Sequence, residues 1–184
     1  MKEDILQYLD DKLANAPKSH SQDDLWAKLC CQQALLALEQ GSYGVGAALV
    51  DSDHELICVA HNSVFSPGYQ SHRHAEMELL NILEQDFSHL VRQDLTLYVS
   101  LEPCLMCTGR ILLSGVTHVR YLAKDKDGGF ATHLHHLPPV WKNLASQLTV
   151  EKAQVDAFWS DLALEMVQTQ SDDMRGKVIK AWQG

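Results

Sequence analysis

Four residues stand out for the chemistry they could do together: His74, Glu76, Cys104 and Cys107, in the segments His74-Ala75-Glu76 and Pro103-Cys104-Leu105-Met106-Cys107. Each segment sits at a predicted helix start. Cys104 and Cys107 are three residues apart, so on a helix their sulfurs share one face. The partial positive charge of a helix N-terminus lowers a thiol's pKa and favours thiolates there. Two thiolates and an imidazole make three ligands for a zinc ion, and three protein ligands leave the fourth tetrahedral position open, as in catalytic zinc sites. The thiolates offset the ion's charge, so a water at that position needs a base as well. Glu76, two residues from His74, is placed to be that base without being a ligand. Such a set suits hydrolytic replacement of an exocyclic amine by oxygen. A closed structural zinc site would need a fourth Cys or His, and Cys58, inside an apolar strand, is a poor candidate.

These segments need a scaffold to bring them together. Residues 2–14 carry apolar residues at helical spacing (Ile5, Leu6, Leu9, Leu13), and 15–22, with Pro17, breaks that helix. Asp23 or Asp24 is expected to cap a second helix running to about Gln40. Two strands, 44–51 and 55–61, flank a hairpin-length turn. A helix from about His74 to Glu84, a strand at 96–100, a helix opened by Pro103 and running to about Ser114, and a strand at 116–123 follow. Residues 133–141 read as irregular. QLTVE (147–151) is expected to be a fifth, edge strand, and 153–168 a helix with Ala153, Phe158, Leu162 and Val167 inward. The stretch from Ser171 reads as a polar tail with one amphipathic piece, 174–182. Alternating strands and helices imply a three-layer α/β/α domain. The expected division is an N-terminal helical extension (1–22), a catalytic core (23–152), and a C-terminal helix and tail packed on it (153–184).

Composition narrows the function classes. Of 184 residues, 24 are Asp or Glu and 15 are Lys or Arg, a net charge of -9, so no global field draws in a phosphate backbone. Five cysteines are an odd number in a chain long enough to bury a core without covalent staples. Cys30, Cys31 and Cys58 are read as small core residues. No apolar run approaches a membrane span, and the acidic start is no secretory signal, so a cytoplasmic location is expected.

HAE (74–76) with PCLMC (103–107) resembles the zinc-dependent cytidine and deoxycytidylate deaminase superfamily. The resemblance covers roughly residues 25–125. LYVSLEPCLMCTGRILLSG (97–115) is most similar to the branch holding guanine deaminases and bacterial tRNA adenosine deaminases. It implies a cytidine deaminase-like fold with a mixed five-stranded sheet, one zinc on His74, Cys104 and Cys107, and Glu76 as proton shuttle. It also implies that Asn62 contacts the substrate, that the backbone near Ala75, Ser100, Leu101 and Glu102 lines the pocket, and that the chain pairs as a homodimer. His72 is a further candidate contact. His133, His135 and His136 are read as a polar loop near the pocket mouth rather than a second metal site. Arg110 replaces a small residue usual in the tRNA-acting branch, at a dimer contact or a pocket wall.

That branch tends to carry paired arginines after two aromatics on its last helix. Here Phe158 and Trp159 are followed by Asp161 and Glu165. A small nucleobase or nucleoside, guanine-type first and cytosine-type second, is therefore ranked above tRNA adenosine; nucleic acid is the less favoured partner, and no membrane partner is expected. A catalytically silent zinc-binding interaction protein is the alternative from another class.

Overall fold

A computed structural model describes residues 2–169 and 171–183. Chain order gives α1 (Lys2–Ala14), α2 (Gln22–Glu39), β1 (Gly46–Val50), β2 (Leu56–His61), α3 (Ala75–Asp86), β3 (Thr96–Leu101), α4 (Leu105–Ser114), β4 (His118–Ala123), α5 (Pro139–Ala145), β5 (Thr149–Lys152), α6 (Ala157–Gln168) and α7 (Ser171–Gln183). The five strands form one sheet in the order β2-β1-β3-β4-β5. β1 is antiparallel to β2 and β3, while β3–β4 and β4–β5 are parallel, so the sheet is mixed. The two parallel pairs require crossovers, which α4 and α5 supply on their way between strands.

Helices cover both faces. On one, α1, α2 and α6 bury Leu9, Trp26, Cys30, Cys31, Leu38, Trp159 and Met166 against Ala48, Tyr98 and Leu122. On the other, α3 and α4 bury Leu79, Leu83 and Ile111 against Leu49, Leu97, Val99 and Val119. The three-layer α/β/α reading therefore holds, with the five strands where the sequence pattern places them and QLTVE supplying the edge strand. No helix among the described residues is long and apolar enough to cross a membrane.

Local details differ. The N-cap of α2 is Ser21, not Asp23 or Asp24: its hydroxyl accepts from Asp24 N, and Asp24 reaches back to the Ser21 amide as a capping box. Asp23 is buried elsewhere, accepting from Tyr98 Oη, Arg120 Nη1 and the Gln154 amide. α4 starts at Leu105 with Cys104 as N-cap, so Pro103 precedes the helix rather than opening it. The irregular 133–141 stretch contains a 3-10 turn (Leu134–His136) and the start of α5, whose first residue is Pro139. The tail from Ser171 is a full helix with Met174 buried.

Candidate active site

The zinc ligands come from two helix N-termini. His74 is the N-cap of α3 and Cys104 the N-cap of α4; Cys107 lies one turn into α4. The sheet sets α3 and α4 side by side, and a bidentate pair of Arg110 with Glu84 (2.6 Å twice) ties them together. His74 Nδ1 is then 3.7 Å from Cys104 Sγ and 3.6 Å from Cys107 Sγ. A tetrahedral zinc with Zn–S of ~2.3 Å and Zn–N of ~2.05 Å puts nitrogen and sulfur ~3.6 Å apart, so the donors fit that ion in type and spacing. Among the described residues this is the only group of three metal-capable side chains so placed. His133, His135 and His136 cluster ring to ring instead, His135 and His136 with centroids 3.9 Å apart.

The electrostatics follow from burial and contact. The Cys107 thiol donates to Cys104, and His74 faces it, which outweighs partial burial and brings the Cys104 thiol down to about 4. Cys107, hydrogen-bonded to that sulfur and buried, is pushed well up. Burial opposes the charge on His74, but the hydrogen bond to Cys104 and the nearby Glu76 charge raise it overall. Glu76, in the first turn of α3 and 3 % exposed, is raised by burial first and by the Cys104 thiolate second. A carboxyl held above its ordinary range is better matched to exchanging protons than an unperturbed one.

His74, Glu76 and Cys104 open on a cavity of about 360 Å³. Asn62, Leu101 and Glu102 line it too. Asn62 is buried, its Oδ1 accepting from the Val64 amide at 3.2 Å. Ser100 is buried behind that wall, with its hydroxyl accepting from Gly46 N, and Ala75 is buried in the first turn of α3. His72 is exposed outside the set of lining residues. Trp141 lies on the outer face of α4 with Leu105 and Leu113, away from this cavity, and Phe158 packs into the core. Cys30, Cys31 and Cys58 are free thiols raised by burial, in keeping with a packing role.

The residues that sequence reasoning missed include Tyr43, Val45, Val64, Tyr69, Ser71 and Asp125, and Val167, Ser171 and Val178 from the C-terminal helices. The 3.6-residue spacing of Met174 and Val178 was the signal for the last of these. α7 lies against the cavity rim: Lys177 Nζ donates to Gly41 O at 3.0 Å and sits over the Phe65 ring, and Trp182 Nε1 donates to Tyr69 Oη at 3.3 Å.

Residues 20–123 match the model of the cytidine and deoxycytidylate deaminase zinc-binding region. A tRNA-specific adenosine deaminase of Bacillus subtilis is 37% identical over 117 residues, 64% of this chain and 71% of that protein. A solved tRNA:A34 deaminase superposes with a TM-score of 0.57 at 25% identity over 62% of this chain and 89% of its own. A guanine deaminase from Nitrosomonas europaea shares the fold, with a TM-score of 0.61 at 20% identity over 86% of this chain and 89% of its own. The matched region contains every ligand and the carboxyl just described. The chain is thus a zinc-dependent deaminase, with His74, Cys104 and Cys107 as its metal site, and belongs to the cytidine and deoxycytidylate deaminase zinc-binding family.

Proposed function

We propose that the chain hydrolyses the exocyclic amine of a purine, with release of ammonia. The observation that carries this reading is the buried Glu76 carboxyl opening, with His74 and Cys104, on one cavity of base-sized volume. His74, Cys104 and Cys107 would hold the zinc, which would supply Lewis-acid activation of water at neutral pH. Glu76 takes the proton released from that water, passes it to a ring nitrogen, and later helps protonate the departing amine. Asn62, buried in the wall, holds the base by hydrogen bonding. Leu101, Val45 and Val64 exclude bulk water from it. His72, exposed beside the ligand turn, is left a contact for whatever part of a substrate projects from the mouth.

For the molecule that carries the amine, kinship reverses the order drawn from the sequence. The relatives matched through the core, at 37% identity for Bacillus subtilis and 34% for Aquifex aeolicus, are named tRNA-specific adenosine deaminases. Adenosine in a tRNA loop is accordingly the first reading. A free purine base or nucleoside, guanine-type, is the second, and one local feature favours it. α7 places Ser171 and Val178 on the cavity wall, and Arg73, next to His74, is already engaged by Ser66 O and Glu78. An RNA loop needs cations for its phosphates, and at this rim Lys177 is bonded to Gly41 O.

Ammonia release across guanine, adenine, their nucleosides, cytosine and a tRNA anticodon stem-loop tests both. Turnover of the stem-loop is expected; turnover confined to free bases would select the second reading. Silence on every amine by the zinc-loaded protein would favour an interaction role. We further propose a cytoplasmic homodimer paired through the outer face of α4, where Leu105, Met106 and Leu113 are exposed. The proposed catalytic core is 23–152, with 1–22 and 153–184 as additions around it.

A further inference from the structure

We infer that the Glu102 side chain is a positioning residue of the zinc centre, acting through the loop that follows β4; this rests on the zinc-deaminase reading of the site. Glu102 is 2 % exposed and stands two residues before the ligand Cys104. Its Oε1 accepts two hydrogen bonds from one residue, Thr132: the backbone amide at 3.0 Å and the hydroxyl at 2.7 Å. Thr132 ends a short run that lies antiparallel on the cysteine turn. Gly129 pairs with Cys104 in an isolated β-bridge, and the amides of Phe130 and Ala131 donate to Pro103 O at 2.9 and 3.2 Å. The carbonyl directly before Cys104 is therefore held by this loop, and the loop is held by Glu102.

Two further observations mark the contact as built. Glu102 Oε2 is buried without a hydrogen-bond partner, a cost that a smaller apolar side chain would avoid. A Cβ at position 129 would fall 2.6 Å from Glu102 Oε2 and 2.6 Å from the Asp125 carbonyl oxygen, so only glycine lets the run lie this close to the carboxylate. The latch fixes Cys104 relative to His74 from outside the ligand set. Loss of an outer-shell partner of this kind typically costs about 10- to 100-fold in metal affinity.

The test compares two pairs of variants in the full chain. Thr132→Val and Glu102→Met remove donor or acceptor while keeping bulk; Thr132→Ser and Glu102→Gln keep a hydroxyl donor or a carbonyl acceptor. Zinc release to an excess of chelator is followed with a chromogenic indicator, and amide exchange is followed at 130–132. The first pair is expected to release zinc about tenfold faster or more, with faster exchange at 130–132 and unchanged exchange in α2. The second pair should behave as the parent does. Parental zinc release in both Thr132→Val and Glu102→Met would overturn the inference, as would acceleration accompanied by equal loss of protection in α2. Neither readout uses a substrate, so a protein inactive on every amine would sink the deaminase reading and leave the latch to be judged on its own.

Discussion

Replacement of Glu76 by glutamine separates chemistry from folding in this site. The amide keeps the shape of the carboxyl but cannot accept and return a proton. A positioned acid–base group contributes about 10²- to 10⁴-fold to rate, or about 2.7–5.5 kcal/mol of barrier. Glu76 is 3 % exposed, and its burial disfavours the charged form. A neutral side chain removes that desolvation cost, so Glu76→Gln should melt no lower than the parent. Its ligands His74, Cys104 and Cys107 are untouched, so one zinc per chain should remain. The expected result is normal zinc content, an equal or higher Tm, and turnover reduced by at least about a hundredfold in an ammonia-release assay. Turnover within about tenfold of the parent would refute the proton-shuttle role. Loss of zinc in the variant would show that Glu76 holds the metal site together instead.

Four further outcomes can be checked directly. Cys104→Ser should lose zinc by elemental analysis and melt lower, because metal binding and folding are coupled. Gly46→Ala places a Cβ 2.2 Å from Cys30 O and 2.6 Å from Ala34 N, both backbone atoms of α2, and should cost about 1–3 kcal/mol or more by denaturant titration. Burial works against the Asp24 carboxylate, but the amides of His20, Ser21 and Asp156 outweigh it and hold its pKa below the ordinary value. A lowered folded-state pKa contributes stability above the unfolded value of about 3.9 and loses it as pH falls through the folded value. Asp24→Asn should therefore cost about 1 kcal/mol near neutral pH, a difference that shrinks below about pH 4. Leu113→Glu, on the exposed face of α4, should convert the proposed dimer to monomer in sedimentation; an unchanged mass would place the pairing elsewhere.

Much of the site was legible in the sequence because its grammar is short-range. Metal chemistry admits few residue types, and the spacings of His74 to Glu76 and Cys104 to Cys107 are set within one helical turn. The strands were legible for the same reason, since β-branched runs between turn residues are a local signal. Failures occurred where one local signal had two meanings. Residues 133–141, with two prolines, read as irregular, yet Pro139 opens α5, where a missing amide costs nothing. Asp23 and Asp24 both read as caps, and only packing assigned the cap to Ser21, the return contact to Asp24 and a buried network to Asp23.

By itself, then, the sequence determined the donor set, the residue proposed as base, the order of elements and the layered class. The tertiary structure alone decided which side of each residue meets the cavity. It turned the Ser100 hydroxyl toward Gly46, joined Glu102 to Thr132 across thirty residues, left His72 in solvent, and laid α7 against the rim of the site. Each of these depends on contacts between segments far apart in the chain, whose geometry comes from the packing of α2, α3 and α4 on the sheet. No periodicity within a single segment carries that information.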